Sequence, residues 1–236
     1  MGLKQTIRFS DHPAARAVRN AYYFSSKFSM PAPAVLIKPA RVVFETGRSV
    51  IYFIRRVFIA EPLAKSYCYS YGKELHTDIY VPWVQGKGRI IIGDNVMFDG
   101  KMNFNFAARY TRNPVLEIGS NTGIGHGSSF RIGKSITIGE YCRIASGVTM
   151  FDIPGHPMDA ESRMAGDSAP DEDVKPIIIG KNVWIGSNSI IFPGVTIGDN
   201  SVVAMGSSVM TSVPPDTVVG GNPARAMKSL AKDKNA

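Results

Sequence analysis

The stretch Ile179–Pro214, IGKNVWIGSNSIIFPGVTIGDNSVVAMGSSVMTSVP, repeats every six residues. Aliphatic residues recur at Ile179, Ile185, Ile191, Ile197, Val203 and Val209. Val183, Ser189, Val195, Ser201, Ser207 and Val213 stand four places after each. A period of six fits neither the 3.6-residue helix nor the two-residue alternation of a strand, and a sustained hexapeptide period is the signature of a β-helix. One aliphatic residue per hexad then points into a narrow core and the small residue sits beside a corner. The glycine after the aliphatic (Gly180, Gly186, Gly198) eases the turn.

The same frame extends toward the N-terminus. It begins at Ile92, passes through Phe98 and Phe104, and is broken by Ala107–Pro114, which carries Arg109 and Arg112. It resumes at Ile118 and Ile124, takes one step of eight before Ile138, and continues through Ile144 and Met150. A second break of 28 residues, 151–178, separates Met150 from Ile179. A loop of that length without repeat structure is usually functional or disordered. It contains His156-Pro157-Met158-Asp159, in which the proline fixes the backbone just after an imidazole, one way to hold a general base still.

These boundaries divide the chain into a basic, partly helical arm (1–87), a β-helix domain (88–214) and a C-terminal tail (215–236). The net charge of +8 belongs to the arm. Residues 1–80 hold twelve Lys/Arg against five Asp/Glu, and the rest of the chain is nearly balanced, with fifteen against fourteen. No recognisable nucleic-acid module accompanies the charge, so nucleic acid is not expected as a partner. Residues Ala14–Phe28 read as a short helix, and Pro31, Pro33 and Pro39 argue against helix before about Ala40. From Ser49 to Ala60 a helix-length apolar stretch is interrupted by Arg55 and Arg56, and Glu61-Pro62 ends or kinks it. Apolar and aromatic residues beside basic ones give residues 41–65 the makeup of an interfacial helix that meets anionic lipid. A helix packed on the coil or on a neighbouring subunit has the same makeup. Met1-Gly2-Leu3-Lys4-Gln5-Thr6 fits the loose myristoylation pattern.

Two cysteines, Cys68 and Cys142, form no CxxC pair and point to a reduced setting. No signal peptide and no membrane span are read, so the expected location is cytoplasmic, with contact at the inner membrane face open to the arm.

His156-Pro157-Met158-Asp159, Lys175–Gly186, Pro193–Asn200 and Val219-Gly-Gly-Asn-Pro-Ala-Arg225, in that order, resemble the hexapeptide-repeat acyltransferases, and most closely their maltose and galactoside O-acetyltransferase branch. The resemblance covers about residues 118–228 well and 88–117 more loosely. It implies a left-handed parallel β-helix, a homotrimer with active sites between subunits, and acetyl-CoA as acyl donor with no metal. It places the catalytic histidine on His156 and the tunnel aromatic on Trp184. Ser187, Ala204 and Gly206 fall along the pantetheine path, and Arg225 at a position that can meet CoA phosphate.

The residue types suit that chemistry. A neutral imidazole can take the proton of an acceptor hydroxyl as it attacks a thioester, and backbone N–H groups at a coil edge can serve the oxyanion. No Ser or Cys nucleophile motif is present, which favours direct transfer. Each residue also has a plainer reading. Asp159 either orients His156 or caps the next turn, Trp184 is a tunnel wall or a surface contact, and His126 is a substrate contact or a corner residue. The acceptor-binding asparagine of the sugar branch has no counterpart at Gly125-His126-Gly127, and the basic arm is unlike the short arm of that branch.

The expected function is therefore an O-acetyltransferase acting on a sugar hydroxyl in polysaccharide or lipid-linked glycan biosynthesis. The rivals are an antibiotic acetyltransferase of the streptogramin or chloramphenicol type, a γ-carbonic-anhydrase-like zinc protein and a non-catalytic scaffold. Only His126 and His156 lie in the repeat region, too few for three imidazoles on zinc.

Overall fold

The computed structural model describes residues 10–231. The myristoylation pattern at the N-terminus lies outside them. The chain separates into two compact units, residues 1–49 and 50–236.

Residues 70–221 wind as a triangular parallel β-helix with three faces. Face one carries Ser70–Tyr71, Arg89–Ile92, Val115–Ile118, Ser135–Ile138, Ile177–Ile179 and Thr196–Ile197. Face two carries His76–Thr77, Met97–Asp99, Gly123–Gly125, Arg143–Ile144, Trp184–Ile185, Val202–Val203 and Thr217–Gly221. Face three carries Trp83–Gln85, Asn103–Phe106, Ser129–Ile132, Thr149–Phe151, Ile190–Ile191 and Ser208–Val209. In the C-terminal coils Ile179 pairs with Ile197, Ile185 with Val203 and Ile191 with Val209, one turn of three hexads each.

Both hexad positions point inward. Ile179 to Val209 and the residues four places after them are all buried. The buried serines lie beside corners and spend their hydroxyls on carbonyls there: Ser189 and Ser207 donate to Ala204 O, and Ser201 donates to Pro214 O at 2.8 Å. This satisfies polar groups that would otherwise be costly in a dry core.

The glycines after the aliphatics act differently from the expectation. A Cβ on Gly186 would stand 2.5 Å from Met205 N, and one on Gly198 would meet Pro215 at 2.3 Å, so they permit close approach of the next coil. The left-handed conformation falls elsewhere, at Asn95, Asn121, Tyr141, Asn182 and Asn200 on the corner between faces one and two. Asparagine tolerates that region and its side chains stack there, as in Asn182 to Asn200 at 3.0 Å.

The coil starts earlier and ends later than the hexads suggest. Its first turn, Ser70–Gln85, lies inside the segment read as arm, because Thr77 and Val84 replace the regular aliphatic series. The presumed tail supplies Thr217–Gly221, parallel to Val202–Val203, and an antiparallel closing strand, Ala224–Ser229.

Upstream, α1 (Pro13–Lys27) is capped by the His12 side chain, and α2 runs Ala34–Arg55. Helix therefore begins six residues before the expected limit. Pro33 opens it, its carbonyl accepting from Leu36 N and Ile37 N, and Pro39 is carried inside. Nor does Glu61-Pro62 break the path. A π turn, Arg56–Ala60, leads straight into α3 (Glu61–Ser66) with Pro62 in its first turn. Ala60 and Ala64 are buried, Arg55 Nε donates to Ile79 O at 3.1 Å, and Glu61 meets His76 at 3.3 Å and Arg56 at 3.8 Å. Arg55 and, through Glu61, the α3 end of the 41–65 segment are thus engaged by the coil, while residues 41–54 together with Phe58, Ile59 and Leu63 stay exposed. No helix among the described residues is long and apolar enough to cross a membrane.

Both sequence breaks leave the same corner, between faces three and one. Tyr110 Oη donates to Ala169 O at 3.1 Å, tying the shorter insertion to the longer.

Candidate active site

Outward positions on face two form a groove of about 490 Å³, lined among others by Asp99, Asn121, Gly123, Arg143, Trp184 and Ser187. Its floor exists because Gly123 and Gly125 occupy both outward positions of their strand, between Met97–Asp99 and Arg143. Arg143 is in register with Trp184, and its guanidinium is folded onto the carbonyls of Asn121 and Cys142. The Trp184 side chain is 56% exposed and stands free to meet a ligand. Volume and mixed lining fall within the range of small-molecule sites. Gly123, Asn121 and Arg143 were missed in the sequence. Their signal is a strand with glycine at both outward positions, next to the tryptophan strand.

From the groove a column of corner residues climbs between faces two and three. Gly147 N donates to His126 O, Asn188 N to Ser146 O and Gly206 N to Ser187 O, each at 2.8–3.0 Å. Ser187 and Gly206 are thus stacked neighbours, with Ala204 half-buried just before the corner. Arg225 is exposed on the closing strand and opposite Gly220, which carries the next coil's approach to Ala204. His126 belongs to the same column two coils earlier. Its Nδ1 accepts from Lys101 N at 3.2 Å and its ring meets Tyr80 edge-on at 5.7 Å, so it packs a corner.

His156 lies elsewhere. It is exposed on the long insertion, which leaves face three after Phe151, and it does not line the groove. The insertion is well anchored. Asp152, fully buried, accepts from Gly133 N at 2.5 Å and Lys134 N at 2.7 Å, and its own carbonyl accepts from Lys175 N at 2.9 Å, so one residue clamps both ends. Burial pushes its carboxyl above the ordinary range, and the backbone N–H groups pull it partly back. Ile153, Ala169 and Val174 are buried within the insertion.

Asp159 does not reach for the histidine. Its carboxylate caps α4 (Ala160–Met164), accepting from Ser162 N at 2.8 Å, and these helix N–H groups hold its pKa below the usual carboxylate value. Arg163 on that helix returns to donate to Pro157 O at 3.0 Å and Met158 O at 2.8 Å. The backbone immediately after His156 is therefore stapled by a capped helix, a role for Asp159 and Arg163 that spacing alone could not disclose.

A family model described as the hexapeptide repeat of succinyl-transferase matches residues 115–151 and 176–210. The chain is 35% identical to the galactoside O-acetyltransferase of Escherichia coli K12 over 139 residues, 59% of this chain and 63% of that one. It is 32% identical to a chloramphenicol acetyltransferase of Klebsiella aerogenes over 165 residues, 58% of this chain and 78% of that one. Among solved structures it resembles a hexapeptide-repeat acetyltransferase of Vibrio cholerae complexed with acetyl coenzyme A. There the TM-score is 0.53 and the identity 26%, over 86% of this chain and 94% of that one. The chain belongs to the hexapeptide-repeat acetyltransferase family, and its coil is the left-handed parallel β-helix of that family. It spans 63%, 56% and 45% of the length of three curated relatives that it matches, the galactoside enzyme being the first.

Proposed function

We propose that this chain transfers the acetyl group of acetyl-CoA to a sugar hydroxyl in polysaccharide or lipid-linked glycan biosynthesis. The observation that carries the reading is the groove of about 490 Å³ beside exposed Trp184, continued by the stacked corner of Ser187 and Gly206. Bound acetyl-CoA would supply the acetyl thioester, and as the C–O bond to the acceptor forms and the C–S bond breaks, coenzyme A would leave as a thiol with the proton taken from the hydroxyl. Trp184, Ser187, Ala204 and Gly206 would hold its pantetheine arm, and Arg225 its phosphate.

His156 acts as the general base, taking the proton of the acceptor hydroxyl through a neutral imidazole nitrogen. Transfer is direct. Cys142 is buried, and burial pushes the half-buried Cys68 thiol up to about 11, which leaves neither as a thiolate nucleophile. Asp159 and Arg163 are positioning residues that fix the backbone carrying His156.

The groove and His156 occupy different faces of one coil. The working site therefore forms between copies, face two of one meeting the insertion of the next in a homotrimer. The arm serves the same purpose at another scale. By helical spacing Lys38, Arg41, Glu45 and Arg48 share one side of α2, where the Arg48 guanidinium lies over the Phe44 ring at 5.6 Å, while Leu36, Val43, Val50 and Ile54 are exposed on the opposite side. That face rests on an anionic membrane surface and brings a cytoplasmic enzyme to lipid-carried acceptors.

The test is release of free thiol from acetyl-CoA by wild type and His156→Ala, against glycans, nucleotide sugars and antibiotics. Acceptor-dependent release that falls by about 10²–10⁴-fold in the variant is expected. Equal release by both proteins would remove His156 from the mechanism. Turnover confined to antibiotics would favour the second reading, which the chloramphenicol relative keeps in view.

A further inference from the structure

Face three carries a second cleft, separate from the face-two groove. It is shallow, about 160 Å³, and is lined by Trp83, Gln85, Asn103, Asn105, Ser129 and Arg131 with the edge of Phe104. Parallel pairing sets these residues in two outward rows. Trp83 stands beside Asn103 and Ser129, and Gln85 beside Asn105 and Arg131. Asn105 Nδ2 donates to Gln85 Oε1 at 3.1 Å, so two amides form a rung that still offers a donor and an acceptor outward. The Trp83 indole is 58% exposed. From its strand to that of Arg131 the rows span roughly 10 Å, two strand spacings.

Arg131 is exposed, and its guanidinium carries no hydrogen bond or ion pair among the described residues. A Cβ placed on Gly155 would lie 3.6 Å from Arg131 Nη1. The guanidinium therefore stands beside the residue that precedes His156. An aromatic platform, an amide rung and an unpaired fork donor, running up to the candidate base, match a sugar chain that carries an oxyanion.

We infer that this cleft is the acceptor site, that it takes an anionic oligosaccharide, and that Arg131 selects for the charged group beside His156. The inference rests on the acetyltransferase reading and deepens it. It also supplies an acceptor contact in a chain with no asparagine at Gly125-His126-Gly127. The shared chemistry is an oxyanion on a sugar, whether uronate carboxylate or sugar phosphate.

The test uses the full chain with Trp184→Phe, which leaves Trp83 as the reporting indole. Its emission is titrated with a hyaluronan tetrasaccharide, with glucose 1-phosphate and with neutral maltotetraose. CoA binding to the wild type is measured by calorimetry. Saturable binding of at least one anionic probe is expected, with maltotetraose weaker by about 10–100-fold, the worth of one charge-assisted hydrogen bond. Arg131→Ala removes the difference and Arg131→Lys restores part of it. The stronger of the two anionic probes identifies carboxylate or phosphate as the source. Equal binding of neutral and anionic probes, discrimination that survives Arg131→Ala, or no response to any probe while CoA binds would overturn the inference and leave the acetyltransferase reading standing. Failure to bind CoA would overturn both.

Discussion

From Ile179 to Val209 every sixth residue is at most 1% exposed, whereas α2 spaces Val35, Leu36, Val42, Val43, Val50 and Ile54 along a helix without burying one of them. The two regions have similar apolar side chains and opposite destinations. In the coil each turn covers the one below, so a hexad that could not bury its residue alone finds a lid in its neighbour. None of these helix residues is buried among the described residues, and their apolar side chains remain exposed.

The largest effect expected from this contrast is in the core. Phe104, 1% exposed and stacked on Phe98 and Phe130 at 5.8 and 5.6 Å, should cost about 3–5 kcal/mol as Phe104→Ala. Phe44→Ala, in the exposed helix, should move stability by no more than about 0.5 kcal/mol. Urea denaturation of both variants gives the comparison, and similar losses would break it.

Next is the clamp on the long insertion. Asp152→Ala leaves Gly133 N and Lys134 N without an acceptor in a buried place and should cost about 2–5 kcal/mol. The carboxyl is raised above its unfolded value. Stability from the protonated form is therefore complete below about pH 4 and lost as pH rises through the folded pKa. Urea midpoints for Asp152→Asn and wild type, taken from pH 4 to 7, should diverge in favour of the variant as pH rises. A constant difference would mean that the carboxyl keeps its ordinary pKa.

Tyr141 sharpens the picture of the corners. It holds φ +61°, where the ladder otherwise uses asparagine. Tyr141→Asn should therefore raise stability by about 1 kcal/mol, read as a shift in thermal midpoint. Smallest of all should be the effect of removing residues 1–49 on unfolding of the coil, a midpoint change within about 2 °C. The same truncation should abolish co-flotation with vesicles containing anionic lipid. A truncated coil that no longer folds would show that the arm is part of its core after all.

Much of the coil was legible because Ile92, Phe98, Phe104, Ile118 and their successors keep one inward residue per face, and a one-dimensional repeat leaves a one-dimensional trace. The first turn was hidden, since Thr77 is buried but not apolar and Val84 comes seven residues later rather than six. Pro33 and Pro39 read as breakers because sequence rules see the missing N–H and not the helix that can begin after one proline and carry another. At the site, the Trp184 motif led to the groove. Gly123, Arg143 and Arg131 were invisible because they become neighbours only through pairings of 20 to 41 residues along the chain. Asp159 offered two roles, and the cap geometry selected one.

In the proposed enzyme His156 and the Trp184 groove act from different copies of the chain. Co-expression of His156→Ala with Trp184→Ala, each inactive alone, tests it most directly by thiol release from acetyl-CoA. The co-expressed population should recover about a quarter of wild-type turnover, because with random assembly about one interface in four pairs an intact histidine with an intact groove. Mixed trimers without recovered activity would place both residues in one chain's site and contradict the account.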